Sequence, residues 1–179
     1  GMSDLFDRVT DDRDVFKKLL AKLPGFKGYF ERQDRRASDK ILREAIANRF
    51  EELWQRVSEM QRDLISQGQI EFIDDLEGAA IKLRQFIDRV RTAAYGYAGF
   101  FDPVKVREDE LAQVYQFDLA LLETSDLVDR AIGNVEASIG TDGLPAAIRN
   151  LRNASAQAVE TFNRRSEVLI GGISENPAQ

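Results

Sequence analysis

Asp118 is the residue in this chain whose type and position most ask for a chemical explanation. It interrupts an apolar helical stripe, Leu111, Val114, Leu121 and Val128, that is broken again at Ser125. A carboxylate facing a core is costly unless it is paired and hydrogen-bonded. Antiparallel packing supplies candidate partners. Reversal of the chain around residue 104 sets Asp118 level with about residue 90, beside Arg89 or Arg91. A second reversal around residue 68 carries that level to residue 46, less than one turn from Arg43.

One end of the molecule is therefore expected to gather Arg35, Arg36, Lys40 and Arg43 from one helix with Arg91, Tyr95 and Tyr97 from the next. Tyr115 and Asp118 join them from a third. Two chemistries fit such a group. A buried Asp–Arg pair fixes helix register, a known use of internal polar groups. Alternatively, arginines as fixed donors and tyrosines as hydroxyl or stacking partners hold a small anion or phosphate. No glycine-rich phosphate loop accompanies the cluster. Were Asp118 a general base, burial would raise its pKa, whereas an arginine partner would lower it.

The rest of the catalytic vocabulary is short. The 179 residues include no histidine and no cysteine. That excludes Ser-His-Asp chemistry, His-ligated zinc or iron, thiolate nucleophiles, disulfides and iron–sulfur clusters. No cofactor is expected, and the chain leans away from catalysis. Asp, Glu, Lys, Tyr and Arg remain able to do acid–base work. Acidic clusters at Glu71-Asp74-Asp75-Glu77 and Glu108-Asp109-Glu110 fall near expected helix N-termini, where carboxylates complement the helix dipole. No metal ligand set is assigned.

Helical periodicity dominates the sequence, and alternation of period two is nowhere sustained. A short helix is expected over Asp11 to Leu23, with Val15, Phe16, Leu19, Leu20 and Leu23 on one face and Pro24-Gly25 ending it. Its lysines give it a basic amphipathic character, and docking on the rest of the molecule is the expectation. The second helix should run from Tyr29 or Glu31 to Ser66. Ile46, Phe50, Leu53, Val57, Met60 and Leu64 form its heptad stripe, and Trp54 is expected to be half-buried.

The third helix, about Gln69 to Tyr95, carries Phe72, Leu76, Ala80, Leu83, Ile87, Val90 and Ala94. An aromatic and glycine-rich junction, Tyr95 to Phe101, follows it. This junction reads either as a plug for one end of the bundle or, through exposed Phe100 and Phe101, as an interaction surface. Asp102-Pro103 has the signature of an N-cap and first helical residue, of a separate turn or of the fourth helix. The fourth helix is expected over Arg107 to Ser138 and the fifth from Asp142 or Leu144 to about Leu169.

Four long heptad-patterned helices on short connections predict an all-α, antiparallel up-down-up-down four-helix bundle with a short N-terminal helix. One domain is expected over residues 2–170, with a flexible tail at 171–179. Gly1 ahead of Met2 reads as a remnant of an expression tag. The expected shape resembles ferritin-like bundles at the level of fold alone. Their di-iron motif needs Glu-x-x-His, which a chain without histidine cannot form.

Net charge is −6 with a pI near 4.9, against the basic excess of nucleic-acid binders. The charge is uneven. Residues 13–49 hold eleven basic and five acidic side chains, net +6, whereas residues 50–142 hold nine and nineteen, net −10. No apolar run approaches the ~20 residues of a membrane span, and no signal peptide is evident. The expectation is a cytoplasmic interaction protein, binding a protein partner or itself. Two alternatives stand beside it: a metal held by carboxylates only, or a small anionic ligand, at the Arg/Tyr/Asp end. A third is peripheral contact with anionic membrane through residues 11–36.

Overall fold

The computed structural model describes the backbone of residues 17–23, 35–92 and 108–174, and the side chains within 17–23, 40–92, 116 and 118–164. Residues 17–22 form the described part of the first helix, α1. Four long helices follow: α2 (Arg35–Ser66), α3 (Ile73–Thr92), α4 (Glu108–Ser138) and α5 (Leu144–Ser174). A single 3₁₀ turn, Ile70–Phe72, leads into α3. All these elements are helical, as the periodicity predicts. The 32 residues of α2 span about 48 Å. The last helix continues to Ser174, five residues past the end read from the sequence. The Asp102-Pro103 junction lies outside the described residues.

Both short turns depend on glycine. Gly68 and Gly140 have φ of 75° and 81°, and a β-carbon at either would meet nothing within 4 Å. Backbone conformation, not space, therefore selects glycine there. At Gly68 the turn closes as the Gly68 amide donates to Ile65 O at 3.0 Å and the Gln69 amide to Leu64 O at 2.9 Å. At the other turn Thr141 Oγ1 donates to Ser138 O at 2.7 Å and accepts from the Gly143 amide at 3.3 Å.

The helices pack as a square in the order α2, α3, α5, α4. Successive helices run up, down, up, down. Within the α2/α3 hairpin, Arg84 meets Glu51 and Arg91 meets Asn48, as antiparallel neighbours require. Between hairpins the sense is the same on both sides. Arg49 reaches Asp129 and Arg56 reaches Glu136, a constant offset of 80 residues that makes α2 and α4 parallel. Phe86 meets Phe162 and Asp75 meets Arg152, which makes α3 and α5 parallel. The bundle is thus two hairpins side by side, with α3 and α4 on opposite corners.

The heptad stripes face the centre. Ile46, Phe50, Leu53 and Val57 from α2, Leu76, Leu83 and Ile87 from α3, Val128, Ile132 and Val135 from α4, and Leu151 and Ala158 from α5 are all buried. Three phenylalanines link three helices. Phe50 and Phe86 have centroids 4.5 Å apart and tilted by 56°, and Phe86 meets Phe162 edge-on at 5.8 Å. Such geometry sets the positive ring edge against the negative face. Leu19 of α1 is fully buried in the same core.

Phe86 touches both hairpins and is 1% exposed. Phe86→Ala should cost about 3–5 kcal/mol of unfolding free energy, read from urea denaturation. Phe86→Leu, which keeps an apolar side chain but loses both ring contacts, should cost less than Phe86→Ala.

Candidate functional site

The polar end expected from the sequence is partly assembled. Asp118 is fully buried, and Arg43 is buried at 7% exposure, on the neighbouring helices α4 and α2. Both lie toward the end away from the two glycine turns. The register differs from the expected one. The offset of 80 residues sets Asp118 level with residue 38 of α2, not with residue 46. The physical reason is lateral: the expected level was carried through α3, but α3 sits across the diagonal from α4.

That diagonal also relocates Arg91. Instead of lying beside Asp118, it stands exposed on the α2/α3 seam, donating to Glu51 at 3.1 Å and Asn48 at 3.2 Å. Lys40 is exposed and lies 4.0 Å from Glu44, one turn along its own helix. Arg35, Arg36 and Tyr115 have helical backbones, but their side chains lie outside the described residues, as do Tyr95, Tyr97, Phe100 and Phe101 altogether. The buried hydroxyls are internally satisfied. Ser125 donates to Leu122 O at 2.5 Å, Thr124 to Ala120 O at 2.7 Å and Ser155 to Leu151 O at 2.8 Å. Their donor hydrogens are spent on carbonyls of their own helical turns. Among the described residues no three carboxylates converge as metal ligands, and no helix is long and apolar enough to cross a membrane.

The seams between helices are laced by charge. On α2/α3, Arg84 donates to both oxygens of Glu51, at 3.0 and 2.5 Å, and its guanidinium lies 4.8 Å from the Trp54 ring centroid. On α2/α4, Asp129 accepts from Arg49 at 3.0 Å and from Arg56, which also donates to Glu136 at 2.6 Å. Lys22 of α1 donates to Asp126 of α4 at 2.8 Å, so the basic face of α1 meets the acidic bundle. Its apolar face is engaged through Leu19.

On the α2/α3 seam the ion pairs stop short of the Gly68 turn. Beyond the Trp54–Arg84 contact, α2 and α3 bound an open groove of about 610 Å³. Trp54, Ile65 and Ile73 form its apolar floor and wall, and Gln55, Glu59, Arg62 and Glu77 its rim. Ile65 is 54% exposed, and Ile70, in the adjoining turn, is 69% exposed. Within the groove Gln61 donates to Glu77 at 2.7 Å. Among the described residues neither Arg62 nor Glu59 takes part in an ion pair, unlike the seam arginines below them.

Sequence reasoning passed over this groove. The available signal was an isoleucine out of phase: Ile65 follows the stripe residue Leu64 and faces the other way, as does Ile81, 48% exposed. Searches for a matching family model, a related curated protein and a similar solved structure each found no match.

Two seam carboxylates, Glu51 and Asp129, are held below their ordinary values by arginine partners. Hydrogen bonding from Arg84 holds Glu51 below its ordinary value of 4.5, helped by Arg91 and opposed by burial. Hydrogen bonding from Arg56, then Arg49, holds Asp129 below 3.8 against the same opposition. A depressed folded-state pKa contributes stability that is present above the unfolded pKa and lost as pH falls through the folded one. The urea midpoint should therefore fall as pH drops below 4.5. A Glu51→Gln/Asp129→Asn variant should start less stable at pH 7 and show a shallower acid decline.

Proposed function

We propose that this chain is a non-enzymatic interaction protein, a cytoplasmic helical bundle that offers the α2/α3 groove to another protein surface. The observation that carries this reading is Ile65, exposed in a groove that Trp54 and Ile73 also line, with Ile70 exposed in the adjoining turn. Isolated surface isoleucines need no explanation, but several gathered at one concavity resemble the centre of an interface. Tryptophan beside arginine adds the residue types that dominate binding energy. Among the described residues, ion pairs cross the α2/α3 and α2/α4 seams beyond this stretch.

Photo-crosslinking in the producing cell tests the reading. With benzoylphenylalanine replacing Ile65 or Ile70, illumination should give a discrete adduct band. The same probe replacing Asn150, exposed on α5, should give none. The adduct from position 70 should vanish when Ile65→Asp is added. Illumination that yields no adduct from either position overturns the reading.

A second reading, a small anion bound at the Arg43 end, draws on the burial of that guanidinium. Phosphate should then raise the thermal midpoint in step with its concentration, beyond the rise produced by chloride at equal ionic strength. Equal midpoints in the two salts remove it.

A further inference from the structure

The groove between α2 and α3 carries a charge pattern that distinguishes among possible occupants. Its rim holds one basic side chain, Arg62, and two acidic ones, Glu59 and Glu77. Glu59 and Arg62 are both exposed on α2, less than one turn apart. Among the described residues neither is engaged in an ion pair, whereas Arg49, Arg56, Arg84 and Arg91 on the neighbouring seams all are. A surface of a single sign laid on this rim would meet a like charge and lose what it gained. A surface with both signs at the same spacing satisfies it, and this patch is itself such a surface.

We infer that the occupant of the α2/α3 groove is a second copy of this chain, related by a two-fold axis that passes between Glu59 and Arg62 of α2. This inference rests on the interaction reading above and names its partner. Under that operation Arg62 of each copy faces Glu59 of the other, so the pair forms twice, as an isologous interface requires. The same operation runs the two α2 helices antiparallel and carries Ile65 of each copy to the level of residue 56 of the other, within one turn of Trp54. The exposed isoleucine thereby moves from water toward an aromatic floor. The apolar contact supplies affinity, and the charges set the register and exclude the parallel arrangement.

Sedimentation velocity over a concentration series reads the outcome. The wild type should pass from the 20.3 kDa monomer to twice that mass, with the emission of the chain's one tryptophan, Trp54, shifting to the blue in parallel. Ile65→Asp should leave a monomer of unchanged helicity by circular dichroism. Arg62→Glu alone and Glu59→Arg alone should each weaken association by about tenfold or more, since each sets like charges opposite one another. Mixing those two variants should restore association to within about threefold of wild type, because the heterodimer sets opposite charges against each other at both of its pairs, the two substituted positions in one and the native Glu59 and Arg62 in the other, and the mixed copies escape their self-repulsions.

A wild type that stays monomeric up to about millimolar concentration, where even weak specific dimers form, overturns the inference. So does a dimer whose strength neither charge reversal changes, or one that the mixture fails to restore. If the monomer persists while position 65 still crosslinks to a chain of another mass in cells, this inference fails and the interaction reading stands. If no adduct forms, both fail.

Discussion

The rest of this structure depends on two helical hairpins lying side by side in the same sense. In the common square bundle every neighbour is antiparallel, and helix dipoles cancel around the ring. Here α2 beside α4, and α3 beside α5, bring like helix ends together, and the dipoles of those pairs oppose association. Something must offset this at both hairpin–hairpin contacts. On one side Arg49 and Arg56 bridge to Asp129 and Glu136, and on the other Phe86 crosses to Phe162 with Arg152 reaching Asp75. The half-exposed ion pairs are each worth under about 1 kcal/mol. The buried apolar stripe supplies the bulk of the stabilisation and the charges select which parallel register is kept.

That constraint explains what the sequence made legible. Period and length sufficed for the helices, because stripes such as Ile46–Phe50–Leu53–Val57 can be buried only one way. The turns at Gly68 and Gly140 were legible for a similar reason, since positive φ has few tenants. Lateral order was not. Heptads say that a helix has a buried face without saying which helix covers it. With α3 placed on a corner opposite α4, Arg91 answers Glu51 instead of Asp118, and the level of Asp118 moves from residue 46 to residue 38. The inward position of Asp118 was readable from the stripe it interrupts, while the burial of Arg43 and the placing of the two depended on an arrangement that periodicity does not encode.

The groove escaped notice for a different reason. Its residues belong to no motif: Trp54, Ile65 and Ile73 come from two helices and become a surface only when those helices are set at their final spacing. Residue types drew attention to the end rich in arginine and tyrosine. Packing directs it to the opposite end, where the ion pairs of the α2/α3 seam give out. Absence of histidine and cysteine removes the commonest catalytic groups.

Both glycine turns lie at one end, so each hairpin closes through contacts near in sequence, while the contacts that join the hairpins link residues 73 to 80 positions apart. Short loops close at little entropic cost and long ones close late. By loop closure, the contacts within each hairpin close shorter loops than those, Phe86 against Phe162 among them, that join the two hairpins.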